Sequence, residues 1–154
     1  MIMDNFDIRL IQCATSEYDE ELALRDRVLR KPLGLSIYND DLEKEKNDWH
    51  IGCFKDGILA GVLVLTAHGA NEVKMRQVAV DERCRGNNIG SGLVNYAERF
   101  AEKNGFGRIV LNSRKTAVGF YEKLKYKTVG EEFIEVTIPH YKMQKDLGND
   151  RSRR

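Results

Sequence analysis

One segment near the middle of the chain constrains the fold most, because it reads as a strand, a glycine-containing turn and a helix start in direct succession. The segment is Val78-Ala79-Val80-Asp81-Glu82-Arg83-Cys84-Arg85-Gly86-Asn87-Asn88-Ile89-Gly90-Ser91-Gly92-Leu93. Glycine, and after it asparagine, tolerates the left-handed backbone conformation, so the amides of such a turn can all face inward. The first N–H groups of a helix have no intrahelical partner and carry the positive end of its dipole. The segment therefore predicts an anion site built from backbone amides and suited to phosphate.

Two common phosphate-binding turns do not match this spacing. A P-loop ends in Gly-Lys-Ser or Gly-Lys-Thr, whereas Gly90 is followed by Ser91 and Gly92. A dinucleotide fingerprint places Gly-x-Gly-x-x-Gly in the first βα unit, whereas the glycines here are spaced Gly-x-x-x-Gly-x-Gly in mid-chain. A turn that only reverses the chain, without any ligand, is the structural alternative.

Composition limits the choice of partner and compartment. A chain of 154 residues is long enough for one domain with a full core, and we expect residues 1–147 to form it and residues 148–154 to be a polar, disordered tail. The balance of 25 basic and 24 acidic residues predicts neither a nucleic-acid nor a membrane partner. Three scattered cysteines, no membrane-length apolar run and no signal peptide predict a cytoplasmic protein. A homodimer is possible.

Apolar periodicity and turn residues predict the element order β-α-β-β-β-α-β-α-β-β. A capping box starting at Ser16 and a stop at Pro32 frame a helix over residues 17–30. Asp56-Gly57 predicts a tight hairpin, and Asn104-Gly105 predicts the end of a later helix. The predicted strands are residues 6–12, 49–54, 58–66, 72–80, 108–112, 127–133 and 135–143, and two further helices start near residues 89 and 117.

Two segments resemble the GNAT N-acetyltransferases. Arg85, Asn88 and Gly90 occupy the defined positions of the family signature Arg/Gln-x-x-Gly-x-Gly/Ala, with asparagine in place of the first glycine. Residues 111–126 resemble the family's strand and its helix with Ala-x-x-Phe-Tyr-x-x-Leu-Gly-Phe/Tyr, with Lys125 in place of that glycine. The predicted element order is also that of the family. The resemblance implies an α/β (α+β) GNAT fold with a central, mixed, mostly antiparallel sheet that is splayed at the fourth strand and flanked by helices.

The resemblance further implies a transferase that uses acetyl-CoA and no metal. It would move an acetyl group to a primary amine of a small molecule by direct transfer in a ternary complex. A catalytically silent module that senses acyl-CoA is one alternative, and an ATP-binding protein is a weaker one, since a lysine and a metal-binding carboxylate pair are missing. The residues implied for cofactor binding are Val78, Ala79, Val80, Arg85, Gly86, Asn87, Asn88, Ile89, Gly90, Ser91, Asn112 and Phe120.

Tyr121 is the residue that the resemblance places next to the sulfur of coenzyme A, where its phenolic proton would go to the leaving thiolate. The alternative is that Tyr121 only packs beside Phe120 on an apolar helix face. The attacking amine must be neutral, so a base or a water chain has to take its proton. Glu72, Glu132 and His140 are the candidate bases, and His140 has the most suitable ordinary pKa.

Arg25 and Arg76 are the candidate substrate-binding residues. Both are predicted to face inward, and an inward-facing arginine requires a partner. They could line a pocket for an acceptor that carries a carboxylate, or they could pair with acidic residues of the chain. The first alternative favours a small amine with an acidic group as the acceptor.

Overall fold

The computed structural model describes residues 6–148, and these follow the predicted element order. The strands are β1 (Phe6–Ile11), β2 (Trp49–Lys55), β3 (Ile58–Ala67), β4 (Glu72–Val80), β5 (Arg108–Arg114), β6 (Lys127–Glu135) and β7 (Ile138–Asp146). The α-helices are α1 (Ser16–Arg25), α2 (Ile89–Lys103) and α3 (Val118–Lys123). Apart from Gly148, the predicted polar tail lies outside the described residues.

The strands form a sheet in the order β1-β2-β3-β4-β5-β7-β6. The pairs β1–β2, β2–β3, β5–β7 and β6–β7 are antiparallel, whereas β4 and β5 are parallel. This confirms the mixed, mostly antiparallel sheet. The described register between β4 and β5 joins residues 72–75 to residues 108–111. It ends shortly before Gln77, whose φ of 58° is the left-handed conformation found in one type of β-bulge, as expected for a sheet splayed at its fourth strand.

The described chain divides into two compact units, and the first comprises residues 6–66 and 77–97. Residues 59–65 of β3 are all buried, which is typical of a strand covered on both faces. Gly61 permits a close approach of α2, since a Cβ atom there would lie 2.9 Å from Ile89 Cγ2 and 3.0 Å from Leu93 Cδ1. The start of α2, and with it the end of the predicted phosphate turn, is therefore packed directly on β3.

The second unit comprises residues 67–76 and 98–148. Its central strand is β5, where residues 109–111 are at most 2% exposed. Glu98, in the second half of α2, accepts hydrogen bonds from the Tyr126 hydroxyl at 2.9 Å and from Lys145 Nζ at 3.0 and 3.1 Å. These contacts join α2, the segment after α3 and β7. That residues 1–147 form one domain stays a prediction.

The first helix differs from the prediction at both ends. Thr15, not Ser16, is the N-cap, because its side chain accepts the hydrogen bond from a backbone N–H of the first turn. The α-helix ends at Arg25, and Asp26–Arg30 continue it as a π-helical turn. Pro32 lies within the 3-10 turn that follows. A π-helical turn does not follow the 3.6-residue period, so periodicity could not reveal the change.

The β2–β3 hairpin has the turn residues that the sequence predicts, whereas the β6–β7 hairpin does not. Asp56 and Gly57 have φ values of 51° and 84°, which confirms the predicted tight turn between β2 and β3. Gly105, with φ 88°, confirms the left-handed end of α2. The turn between β6 and β7 consists of Val136 and Thr137, with φ values of 49° and 67°, and contains none of the usual turn residues. The predicted boundary between the last two strands was therefore wrong by a few residues.

Candidate active site

The predicted phosphate turn begins at a buried carboxylate. Asp81 is 3% exposed, and its oxygens accept hydrogen bonds from the Arg83 backbone N–H at 2.9 Å and from the Arg83 side chain at 3.0 and 2.8 Å. Arg27 Nη2 donates a further bond at 3.0 Å. The side-chain hydrogen bonds from Arg83 are the main reason that the pKa of Asp81 lies well below its ordinary 3.8. The turn is thus anchored by an ionised carboxylate whose charge is balanced by two arginines.

The backbone of the turn has the conformation that the sequence predicts. Gly86 and Asn88 are left-handed, with φ values of 90° and 61°, and residues 85–88 are exposed. The Asn87 side chain donates to the Cys84 carbonyl at 3.0 Å, which braces the turn. Because α2 begins at Ile89, the N–H groups of its first turn lack intrahelical partners and lie at the end of an exposed, left-handed turn. This arrangement can accept an anionic group.

Gly90 and Gly92 lie inside α2 and do not shape the turn through unusual backbone angles. Gly92 instead has a packing role, since a Cβ atom there would lie 3.3 Å from Ile8 Cδ1. Before the turn, Ala79 is buried, whereas Val78 and Val80 are half-buried. Their predicted role in cofactor binding concerns the backbone, so it stays a prediction.

Both departures from the family signature fall at left-handed positions. Asn88 has φ 61° and Lys125, which stands where the family has glycine, has φ 78°. Asparagine tolerates this conformation well, whereas a residue such as lysine costs roughly 1–2 kcal/mol there. At both positions the chain therefore has a backbone conformation that glycine favours, with another residue in place.

Tyr121 lies on α3 and is 6% exposed. Its ring makes edge-to-face contacts with Phe120 at 4.9 Å and Tyr126 at 5.8 Å between ring centroids. Burial raises the pKa of the Tyr121 hydroxyl above its ordinary 10, so the group keeps its proton at neutral pH. The protonated hydroxyl cannot act as a base, and its higher pKa also makes it a weaker acid, so proton donation by Tyr121 stays a prediction. Its packing beside Phe120 agrees with both roles that the sequence left open.

His140 lies on β7, and its Nε2 atom is the ring nitrogen that could accept a proton. The side chain is buried, and Nδ1 lies 2.9 Å from the Ile138 carbonyl oxygen. A carbonyl only accepts hydrogen bonds, so Nδ1 carries a proton and the neutral ring has its lone pair on Nε2. Nε2 lies 4.0 Å from Glu135 Oε2, and the other oxygen of Glu135 accepts a hydrogen bond from Asn112 at 3.0 Å. The structure thus brings together His140, Glu135 and Asn112 from three strands.

Glu135 was missed by the sequence analysis. It ends β6 between Ile134 and Val136, and only the pairing of β6 with β7 and of β7 with β5 brings it near His140 and Asn112. No local signal in the sequence distinguishes it from the neighbouring glutamates.

The other two candidate bases are paired with neighbouring side chains. Glu132 accepts hydrogen bonds from the Tyr141 hydroxyl at 3.2 Å and lies 3.1 Å from Lys115 Nζ. Glu72 lies 2.6 Å from His68 Nδ1 and 3.8 Å from Arg108. Both carboxylates are thus held by neighbouring side chains. Which of the three groups acts as the base stays a prediction.

Arg25 is fully buried, and its guanidinium is bonded to two carboxylates. Nη1 donates to Glu21 at 2.8 Å, while Nη1 and Nη2 donate to the two oxygens of Glu45 at 2.8 and 2.6 Å. Of the alternatives that the sequence left open for Arg25, the structure shows the pairing with acidic residues. A side chain with no exposed surface does not line an acceptor pocket. Arg76 is half-buried on β4, and its substrate role stays a prediction.

His50 completes a group that we call the Arg25 cluster, consisting of Glu21, Arg25, Glu45 and His50. His50 Nδ1 lies 2.7 Å from Glu21 Oε2, and Nε2 lies 2.9 Å from the Glu45 carbonyl oxygen. Ligand atoms of Glu21, Glu45 and His50 lie within 4.8 Å of one another, as at some divalent-cation sites. The Arg25 guanidinium donates hydrogen bonds to both carboxylates, so the positive charge next to them is that of an arginine side chain.

Comparison with known proteins identifies the same family along nearly the whole chain. A family model described as the acetyltransferase (GNAT) domain matches residues 16–147. The uncharacterized N-acetyltransferase YitI of Bacillus subtilis (strain 168) is 26% identical over 149 residues, which cover 92% of this chain and 100% of YitI. No described helix is long and apolar enough to cross a membrane.

Solved structures show the same fold at lower identity. A Lactobacillus plantarum protein assigned to the N-acetyltransferases has a TM-score of 0.83 at 22% identity, with 92% of this chain and 98% of that chain covered. An aminoglycoside 6'-N-acetyltransferase complexed with coenzyme A has a TM-score of 0.78 at 19% identity, with 91% and 96% covered. At these identities the likeness concerns the fold alone.

Proposed function

Since this chain belongs to the GNAT acetyltransferase family, we propose that it transfers the acetyl group of acetyl-CoA to a primary amine of a small acceptor, by direct transfer in a ternary complex. The turn between β4 and α2 is the observation that carries this proposal. Its exposed, left-handed backbone leads into the amino end of a helix, and it lies where the family signature binds the cofactor.

In this proposal, the backbone N–H groups of residues 86–91 bind the pyrophosphate of acetyl-CoA, and Arg85 adds a positive charge. Asp81, the carboxylate at the start of the turn, is paired with Arg27 and Arg83, so its charge is balanced before a phosphate binds. Residues 78–80 would bind the pantetheine arm through their backbone, in the manner of an added strand. Asn112 and Phe120 belong to the proposed cofactor set through the family resemblance.

The proposed reaction needs one base and one acid. The acceptor amine gives a proton to Nε2 of His140 and attacks the thioester carbon, so that a carbon–nitrogen bond forms. The tetrahedral intermediate then re-forms its carbonyl group while the carbon–sulfur bond breaks, and the Tyr121 hydroxyl donates its proton to the leaving sulfur. Solvent afterwards returns a proton to Tyr121 and takes the extra proton from His140. The Nδ1 hydrogen bond of His140 leaves the lone pair on Nε2, and Tyr121 is protonated before the reaction, which agrees with these two assignments.

Binding is tested first, by calorimetric titration of the purified protein with acetyl-CoA, ATP and NADH. We expect saturable binding of acetyl-CoA alone. Gly86→Val should weaken it at least about tenfold, because a β-branched residue disfavours the left-handed conformation of the turn. Gly69→Val is the matched control, since Gly69 is also left-handed, with φ 110°, and lies outside the turn. Binding of ATP or NADH instead of acetyl-CoA would contradict the proposal.

Turnover is tested separately by release of the free thiol of coenzyme A with a panel of primary amines. Tyr121→Phe should lower kcat about a hundredfold and leave the Kd for acetyl-CoA nearly unchanged, because only the proton donor is removed. If acetyl-CoA binds but no amine releases thiol, the chain is a silent acyl-CoA-binding module. A Tyr121→Phe variant with unchanged kcat would refute the acid role.

A further inference from the structure

Gln77 is a conformational outlier at a sensitive position of β4. It has φ 58° within a strand and directly precedes residues 78–80. A residue other than glycine keeps such a conformation only where its surroundings hold it there, and such residues concentrate at ligand-binding sites. The left-handed conformation of Gln77 therefore requires a neighbouring group that holds it.

The Arg25 cluster provides that group. Nε of Arg25 lies 3.4 Å from Gln77 Oε1, in donor–acceptor geometry. The guanidinium is planar, and its other nitrogens are bonded to Glu21 and Glu45, so the direction of Nε is set by those carboxylates. Arg25 is fully buried and cannot exchange these partners for water. It therefore presents a fixed donor to the Gln77 side chain.

The balance of charge keeps the Arg25 cluster in this arrangement. Both ring nitrogens of His50 face acceptors, namely a Glu21 oxygen and the Glu45 carbonyl oxygen. Two protons are therefore needed for the two hydrogen bonds of the ring, one on Nε2 and one shared between Nδ1 and Glu21. The pair is neutral as a whole, and Arg25 balances Glu45. The Tyr18 hydroxyl donates a further hydrogen bond to Glu45 at 3.0 Å. Losing either Arg25 or Glu45 would leave the other as a buried charge without its counter-charge.

We propose that Arg25 is a positioning residue for the cofactor site, acting through Gln77. By holding the Gln77 side chain it maintains the left-handed conformation of Gln77 in β4, and thereby the orientation of the peptide groups of residues 78–80. The consequence for acetyl-CoA rests on the proposed function. The effect on the backbone of β4 does not, and it can be measured without any ligand.

The test uses Gln77, because substitution of Arg25 itself disrupts the buried cluster. Gln77→Leu removes the acceptor at similar size, whereas Gln77→Glu retains an acceptor oxygen for Arg25. Gln144→Leu is the matched control, a half-buried glutamine on β7. Amide hydrogen exchange of residues 78–80 in the free protein should become about tenfold faster in Gln77→Leu and stay near the wild-type rate in the other two variants. The urea midpoint of each variant shows that it is folded.

The same variants are then titrated with acetyl-CoA. Gln77→Leu should raise the Kd and the KM about tenfold with kcat nearly unchanged, and Gln77→Glu should restore both. Unchanged exchange at residues 78–80 in Gln77→Leu would overturn the inference. Faster exchange with an unchanged Kd for acetyl-CoA would also overturn it, since the conformation of Gln77 would then not matter for the ligand. If the wild-type protein does not bind acetyl-CoA, the proposed function fails, and the exchange rates alone decide whether Arg25 positions β4.

Discussion

Replacing Glu45 by glutamine in the Arg25 cluster should destabilise the protein strongly. The two oxygens of Glu45 accept hydrogen bonds from Arg25 at 2.8 and 2.6 Å, and the two side chains are 4% and 0% exposed. Glutamine keeps the shape of the side chain but removes its charge and one acceptor. Arg25 would then face an incomplete set of carboxylates in a site that water does not reach.

The expected loss is about 3–5 kcal/mol, because removing one partner leaves a buried charge uncompensated. That is a large fraction of the roughly 5–15 kcal/mol by which domains of this kind are stable. With an m value of about 2 kcal/mol per molar urea, a loss of about 4 kcal/mol moves the unfolding midpoint by about 2 M.

An exposed pair in the same chain provides the control. Arg9 binds Glu17 through both oxygens at 2.8 and 2.9 Å, but these side chains are 40% and 36% exposed. Because water and salt screen such a pair, Glu17→Gln should cost about 1 kcal/mol or less. The two substitutions are chemically the same and differ mainly in burial.

The assay is urea unfolding of the three proteins, followed by circular dichroism at low and at physiological salt. We expect a large loss for Glu45→Gln that salt hardly changes and a small, salt-sensitive loss for Glu17→Gln. Equal losses in the two variants, or a loss below about 1 kcal/mol for Glu45→Gln, would refute the argument that burial makes this ion pair indispensable.

Three further predictions concern other groups. Burial alone lowers the pKa of His50, but the hydrogen bond to Glu21 and the charges of Glu21 and Glu45 outweigh it and raise the pKa above 6.5. The resulting stabilisation is complete below about pH 6.5 and is lost as the pH rises through the folded-state pKa, by up to about 1.4 kcal/mol per pH unit; urea titrations between about pH 6 and pH 9 should show this slope in the wild type and not in His50→Gln. Gly61→Ala should cost about 1–3 kcal/mol by overpacking against α2, whereas Gly119→Ala, with open space around its Cβ position, should be neutral or stabilising by up to about 1 kcal/mol in thermal unfolding. The pKa of Asp81 is lowered by Arg83, so its stabilisation is present above about pH 3.8 and is lost on further acidification; Asp81→Asn should abolish that part of the acid-unfolding curve.

The order of the elements could be predicted because its signals are local. Strand β4 has the predicted bounds, and the Asp56-Gly57 turn and the end of α2 at Gly105 follow from residues that favour left-handed angles. The turn before α2 belongs to the same class, since its glycine and asparagines stand next to each other in the chain. The π-helical turn after α1 and the Val136-Thr137 turn could not be predicted, because the residues there carry no turn or period signal of their own.

The partners of the charged residues depend on the tertiary structure. Glu45 stands in a run of acidic and basic residues, and nothing in that run distinguishes the buried glutamate from its exposed neighbours. Its bond to Arg25 spans 20 positions, and the bond of His50 to Glu21 spans 29.

The sequence alone therefore determined the family, the order of strands and helices and the position of the left-handed turn before α2, because these depend on neighbouring residues. Only the tertiary structure decided that Arg25 is an internal ion-pair partner, that Glu135 lies near His140 and that Gln77 has a left-handed φ within β4. The physical reason is that the energy of a charge or a strained residue depends on its burial and on partners distant in sequence, and folding brings those together.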